Sequence, residues 1–294
     1  MKRAIDFMII GAAKSGTTTV YEALARHPEI FMPEIKENLY FARDYEAGED
    51  YLLQYYRSVS DQPIVGGNYV HAMYFPEVIE RLYHHNNQMK LVAILRNPVQ
   101  RAYSSYWFSV RNGLEELPFE EAIKLDSKNA EGNYIERAEK TYLSHGLYAQ
   151  QLRGCLQLFA RRQLCVVTTD MLKADPELTL ADILGFLGAA ASSYEFGFEQ
   201  RANPAAMPRF AWLQRLMLRE DALYKRIGRR IVPASLRYFF NRTLTNRIVN
   251  RWNVRRFNYP PMPDSVKSQL VEYYAQPNRE LAALFNLDLS GWAQ

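Results

Sequence analysis

Cysteine is scarce in this chain: Cys155 and Cys165 are the only two in 294 residues. That is too few for a disulfide scaffold, and without a CxxC pair or a Cys/His cluster they offer no metal site. A reducing, cytoplasmic compartment is therefore expected. Long apolar runs are missing as well. The stretch Phe7 to Ala13 follows Met1-Lys2-Arg3 but reaches Lys14 before it could serve as a signal core or cross a membrane, so it reads as a first strand and no membrane span is expected. Repeats and low-complexity linkers are absent too, which leaves residues 1–294 as one expected domain. Positive charge is concentrated in one segment. Lys225 to Arg256 holds ten Lys/Arg and no Asp/Glu, so against a total of +4 the rest of the chain nets −6. Such a local basic run suits an anionic nucleotide, an acidic glycan, a membrane surface or nucleic acid, or a solvated helix face used in packing.

What is present is ordinary for a folded enzyme: 48% hydrophobic and 23% charged residues, far from the balance of a disordered chain. Residues 4–11 (AIDFMIIG) form an apolar run rich in β-formers. Thr17 to Arg26 then has helical periodicity, with Val20, Leu24 and Ala25 on one face. Lys90 to Leu95 (KLVAIL) repeats the pattern, with Pro98 suited to the first position of a helix running to about Phe108. Leu164 to Thr168 (LCVVT) is a third strand after a helical stretch from Tyr148 to Phe159. Continuous apolar strands alternating with helices predict an α/β fold, a parallel sheet flanked by helices. Beyond Phe186 strand signals stop. The expectation is a core over 1–190 and a helical, basic C-terminal portion over 191–294, closed by helices at about Asp264 to Tyr274 and Asn278 to Leu284.

Two strand-to-helix junctions carry the chemistry. In the first, Gly11-Ala12-Ala13-Lys14-Ser15-Gly16-Thr17-Thr18-Thr19, free backbone N–H groups and the helix dipole attract phosphate. Gly11 and Gly16 have the spacing of the ATP/GTP loop, yet Thr17 takes the lysine position and Lys14 stands two residues before Gly16. The strand at Lys90–Leu95 also ends in Arg96, not in an acid that would hold magnesium. A kinase or nucleotidase is thereby disfavoured. The second junction is Arg96-Asn97-Pro98-Val99-Gln100-Arg101-Ala102-Tyr103-Ser104. An arginine grips phosphate through a two-pronged contact and a helix hydroxyl adds one more bond.

The displaced lysine with its threonine pair resembles the 5'-phosphosulfate loop of the sulfotransferases, and the R-N-P…R-A-x-S pattern is similar to the element that binds the 3'-phosphate of their donor PAPS (3'-phosphoadenosine 5'-phosphosulfate). The resemblance implies a P-loop-like fold and transfer of a sulfuryl group to a hydroxyl or amine, leaving PAP, with no metal. It assigns Lys14 to the donor's bridging oxygen, Ser15, Gly16, Thr17 and Thr18 to the phosphosulfate side, and Arg96 and Ser104 to the 3'-phosphate; Thr19, also expected to touch the donor, stands where the cytosolic branch has a tryptophan against adenine. By the same resemblance Arg255 and Arg256, with Arg251, belong to a basic loop that closes over the donor. Weaker stretches match in order: Lys36-Glu37-Asn38-Leu39-Tyr40-Phe41, Gly146-Leu147-Tyr148, Lys173-Ala174-Asp175-Pro176, Phe186-Leu187-Gly188 and Leu287 to Trp292. Their order is that of the bacterial and glycan-modifying branch.

Sulfuryl transfer to an alcohol needs a base for the hydroxyl proton. Glu37 matches the glutamate that serves the glycan-modifying branch. His71 lies about 25 residues before Arg96, where the cytosolic branch places its histidine. An imidazole with a pKa of about 6.5 is better poised near neutrality than a carboxylate of about 4.3, so His71 is favoured here over Glu37. The expected partner is a small-molecule or saccharide acceptor, not nucleic acid, with homo-oligomerisation left open. The competing readings are a P-loop kinase or nucleotidase, or a non-enzymatic nucleotide- or nucleic-acid-binding module built on residues 225–256; that run lacks an RRM, KH or zinc-finger pattern.

Overall fold

The structure is a computed structural model that describes residues 4–190, 206–208, 254–256 and 259–293. In chain order its strands are β1 (Phe7–Gly11), β2 (Ile30–Phe31), β3 (Ile64–Asn68), β4 (Lys90–Leu95), β5 (Leu164–Thr168), β6 (Ala206–Pro208) and β7 (Val254–Arg256). Its helices are α1 (Thr17–Arg26), α2 (Glu49–Leu52), α3 (Pro76–His85), α4 (Pro98–Arg111), α5 (Phe119–Ala122), α6 (Asp126–Ala130), α7 (Tyr134–Glu139), α8 (Tyr148–Leu158), α9 (Thr169–Ala174), α10 (Pro176–Leu187) and α11 (Asp264–Phe285).

The chain divides into two compact units. The first draws on Met1–Ala102, Leu143–Phe198 and Asp264–Gln294, the second on Tyr103–Tyr142 and Glu199–Pro263. The first unit holds a five-stranded sheet in the order β2-β3-β1-β4-β5, parallel throughout. Its strands alternate with helices, as the apolar runs predict. Phe7 and Ile9 of β1, with Val92 and Ile94 of β4 and Val167 of β5, face Val20, Tyr21 and Leu24 of α1 and Leu180, Ile183, Leu184 and Leu187 of α10. The alternate residues Met8 and Ile10 are as fully buried, so the sheet is covered on both faces. Each such side chain contributes about 1.5–3 kcal/mol by leaving water. On α1 the third apolar position is Tyr21, not Ala25, which is exposed.

β3 has a weak strand signature because Gly66 and Gly67 occupy its centre. Packing explains them: a Cβ on Gly66 would sit 2.5 Å from Met32 Sδ, and one on Gly67 2.8 Å from Met8 Cε. Two motif stretches turn out to be helix punctuation. Asp175 caps α10 by accepting the Leu178 N–H at 2.9 Å, with Pro176 following. Gly188 closes the same helix at φ 88°, a left-handed conformation that suits glycine. The closing segment differs from expectation in being one helix, α11, which runs through Pro277.

The second unit gathers an aromatic cluster in which Tyr106 packs against Phe119 and Tyr142. Buried Glu115 there accepts from the Tyr142 hydroxyl at 3.0 Å and faces Lys140 Nζ at 3.7 Å. β6 and β7 pair antiparallel, two short strands in the region beyond Phe186 where none was expected.

Candidate active site

From β1 the chain runs to β3 on one side, then returns to place β4 on the other. The crevice beyond the carboxyl ends of β1 and β4 is therefore the switch point at which open parallel sheets bind ligands. Both strand-to-helix junctions open there. In the first, Lys14 has φ 69° and Gly16 φ 87°, so the loop coils tightly before α1 begins. Gly16 is the N-cap and supplies no side-chain cap, and the first turn of α1 carries no acid. The positive end of the helix is left for an anion. Ala12 N–H donates to the Ile94 carbonyl at 2.7 Å, which fastens the loop to β4.

In the second junction Asn97 caps α4 by accepting the Val99 N–H at 3.0 Å, and Pro98 follows at the first helical position. The Arg96 guanidinium donates through Nη1 to the Lys14 carbonyl at 3.2 Å, and the Tyr148 hydroxyl donates to the Arg96 carbonyl at 2.9 Å. Thr169 Oγ1 reaches both the Ser15 carbonyl (3.1 Å) and the Leu95 carbonyl (3.0 Å). The two loops are thus bonded to each other and to β5's successor helix. Ser15 Oγ is buried beside the Tyr148 hydroxyl, whose acidity it favours, but forms no well-aligned hydrogen bond of its own. An orphan hydroxyl in a loop with two left-handed residues fits a site shaped for a polar ligand.

The two base candidates sit in different surroundings. Glu37 Oε1 accepts from Asn68 Nδ2 and Oε2 from the Val70 N–H, each at 3.1 Å. Closely packed neighbours desolvate the carboxyl and raise its pKa, against the opposing pull of Lys36 and these hydrogen bonds. Its side chain nonetheless keeps 37% of its surface open, so dense walls and an open approach coexist. His71 is 7% exposed, with its ring edge-on to His145 at 5.1 Å, and His145 stacks on Tyr74 at 3.7 Å. Burial, then the charge of Arg101, pushes the His71 imidazole down to about 3.

Of the residues singled out from sequence, Lys14, Ser15, Gly16, Thr17, Thr18 and Arg96 come together at the switch point. Thr19 is exposed on the next position of α1, and Ser104 is half-buried on α4, one turn beyond Arg101. Arg251 lies outside the described residues; Arg255 and Arg256 are in β7, with their side chains outside the description. Two residues escaped the sequence reading. Lys36 Nζ donates to Thr18 Oγ1 at 2.7 Å and stands 3.7 Å from Glu37 Oε1. Asn68, fully buried, holds Glu37 while its own Oδ1 has no hydrogen-bond partner. A Lys-Glu pair looks like solvated surface in sequence, and nothing in the run of residues around Asn68 marked it. Among the described residues no cluster of three or more His, Cys, Asp and Glu could hold a metal, and no helix is long and apolar enough to cross a membrane.

The chain is similar along 99% of its length to all of a sulfotransferase from Alicyclobacillus acidocaldarius of known structure, at 22% identity and a TM-score of 0.70. It is 24% identical over 300 residues to the human bifunctional heparan sulfate N-deacetylase/N-sulfotransferase 3, covering 97% of this chain and 30% of that protein. With the human heparan sulfate glucosamine 3-O-sulfotransferase 3B1 it shares 29% over 191 residues, 64% of this chain and 47% of that one. The chain therefore spans less than half the length of these two human relatives. The model of the sulfotransferase domain matches residues 4–204, and the chain belongs to the sulfotransferase family of enzymes.

Proposed function

We propose that the protein transfers a sulfuryl group from PAPS to a hydroxyl or amine of a small-molecule or saccharide acceptor. The observation that supports this most is the 3.2 Å contact between the Arg96 guanidinium and the Lys14 carbonyl, because it makes one mouth of two loops suited to two separate phosphates. Bound there, the donor supplies an electrophilic sulfur whose bond to the phosphate oxygen breaks as the acceptor oxygen or nitrogen bonds to it in line. The residues at hand fit that chemistry. The start of α1 at Thr17 and Thr18 holds the phosphosulfate end through N–H and O–H groups. Lys14 places an ammonium where charge builds on the departing phosphate oxygen. Arg96, with Ser104 further along α4, takes the 3'-phosphate, and the family resemblance alone adds Arg255 and Arg256 to the nucleotide.

For the base the choice falls on Glu37, reversing the preference for His71. An imidazole held at about 3 is neutral near pH 7 but accepts a proton too weakly to help, whereas the Glu37 carboxylate has a raised pKa and an open approach. The acceptor's proton goes to a Glu37 carboxylate oxygen while Asn68 and the Val70 amide keep that group in place. With Cys155 buried and Cys165 half-buried as free thiols, a reducing, cytoplasmic setting suits the enzyme. Titration calorimetry with PAP tests the donor: the wild type binds it, and Arg96→Ala and Lys14→Ala abolish transfer from labelled PAPS. A wild type without affinity for PAP refutes the reading. Incubating enzyme and labelled PAPS with cell extract identifies the acceptor.

A further inference from the structure

Among the described residues Lys36 touches both the donor loop and the base, and its placement carries a function of its own. Its Nζ donates to Thr18 Oγ1 at 2.7 Å and stands 3.7 Å from Glu37 Oε1. The first is a good hydrogen bond and the second a loose ion pair. The side chain is 26% exposed, and an ammonium has three N–H donors, so a donor remains for a ligand that reaches the loop. Burial lowers the Lys36 pKa, and Glu37 and Glu22 oppose that fall.

We propose that Lys36 couples donor occupancy to the base: the ammonium shared by Thr18 and Glu37 in the donor-free site turns to the sulfonate oxygens of a donor seated on the start of α1, and Glu37 is released to take the acceptor's proton. This rests on the reading of donor and base given above. The physical basis is that an opposite charge within about 4–6 Å lowers a carboxyl pKa by 1–3 units. Drawing that charge onto a sulfonate restores the carboxylate's proton affinity at the moment a proton has to be taken. Without a donor, Glu37 stays neutralised by its neighbour and is a weaker base. The other groups that face it do not change on donor binding in this scheme: Asn68 Nδ2 and the Val70 amide from the end of β3, and Tyr21 from α1, itself pushed up to about 12 by burial and by Glu37, Glu34 and Glu22. Lys36 is the movable charge of the set.

The test uses the difference between PAPS and PAP, which lacks the sulfonate. The Glu37 carboxyl carbon is followed by NMR in protein labelled at glutamate Cδ, assigned by its loss in Glu37→Gln, and titrated free, with PAP and with PAPS without acceptor. The wild type should show a Glu37 pKa about one unit or more higher with PAPS than with PAP. In Lys36→Met the free-enzyme pKa starts higher, the PAP-to-PAPS difference falls to less than half, and PAP affinity stays within about two-fold. Should Lys36→Met not fold, Lys36→Gln gives the same comparison. If PAP binds but Glu37 titrates alike with PAP and PAPS, or Lys36→Met keeps the full difference, this proposal falls while the donor reading stands. If the wild type does not bind PAP, both fall. If Glu37→Gln turns over normally, Glu37 is not the base and the coupling falls with it.

Discussion

Acidification should destabilise the wild-type chain more than it destabilises a His71→Gln variant. In the folded protein the imidazole resists protonation down to about 3 because it is buried and faces Arg101. In the unfolded chain it accepts a proton near pH 6.5. The unfolded state thus binds one more proton between these values, so this residue's contribution to stability is complete above about pH 6.5 and is lost as pH falls toward 3. At pH 5 the gap is about 1.5 pH units, which at 1.36 kcal/mol per unit is a loss of about 2 kcal/mol. Burial also lowers His85, but that residue titrates in both proteins and cancels in the comparison.

Urea unfolding at pH 7.5, 6 and 5 measures the effect. Whatever the variant loses at pH 7.5 from the changed side chain, the gap between the two proteins should shrink by about 2 kcal/mol at pH 5. Parallel pH profiles would refute the reasoning, as would a His71 ring resonance titrating near 6.5. Either result would show an imidazole able to take a proton near neutrality, and the choice of Glu37 as base would have to be reopened.

Four more outcomes follow from the geometry. Glu37→Gln should lower kcat by about 10²–10⁴-fold, the range for a positioned base, with the KM for the donor little changed. In the wild type the rate should fall with decreasing pH through a midpoint above the usual 4.3 or so, since burial raises the Glu37 pKa and the carboxylate is the active form; a pH–rate profile flat down to pH 4 contradicts this. Asp175→Ala, which removes the α10 cap, should cost about 1 kcal/mol in chemical denaturation while leaving activity per folded molecule unchanged. At Gly146 a Cβ would stand 2.7 Å from the Tyr274 hydroxyl and 2.9 Å from Pro98 Cβ, so Gly146→Ala should lower stability by about 1–3 kcal/mol, and a variant as stable as the wild type would mean that α4 and α11 yield there easily.

How much was legible depended on whether the signal was local. α1, β4 and β5 fall on the expected residues because runs such as Lys90–Leu95 are continuous, apolar and rich in β-formers, as strands buried on both faces must be. β3 was illegible because Gly66 and Gly67 lower strand propensity, and their reason, the closeness of Met32 and Met8, exists only in the assembled sheet. Two closing helices are expected, at about Asp264 to Tyr274 and Asn278 to Leu284, yet α11 is continuous with Pro277 inside it. A proline costs its helix one hydrogen bond, from the carbonyl four residues back. That residue is Tyr273, an exposed position where water can serve the carbonyl instead.

The same division separates the parts of the site. Phosphate loops are read from sequence because a strand, a glycine turn and a helix start are contiguous, and their anion preference follows from the backbone alone. A base is different: a carboxylate becomes one only through what surrounds it. Glu37 leaves β2 by a loop, but it is held by Asn68 and Val70 at the end of β3 and tuned by Lys36, which reaches back to Thr18 on α1. These contacts span 18 to 33 residues in the chain. His71 had the better pKa as a free imidazole and lost it to burial, while Glu37 had the poorer one and was raised toward usefulness by the same cause. Desolvation moves acids and bases in opposite directions. A reference pKa therefore ranks an imidazole against a carboxylate correctly only where both are fully solvated; here His71 is buried and the Glu37 carboxyl is partly desolvated, so the surroundings work against the first and for the second.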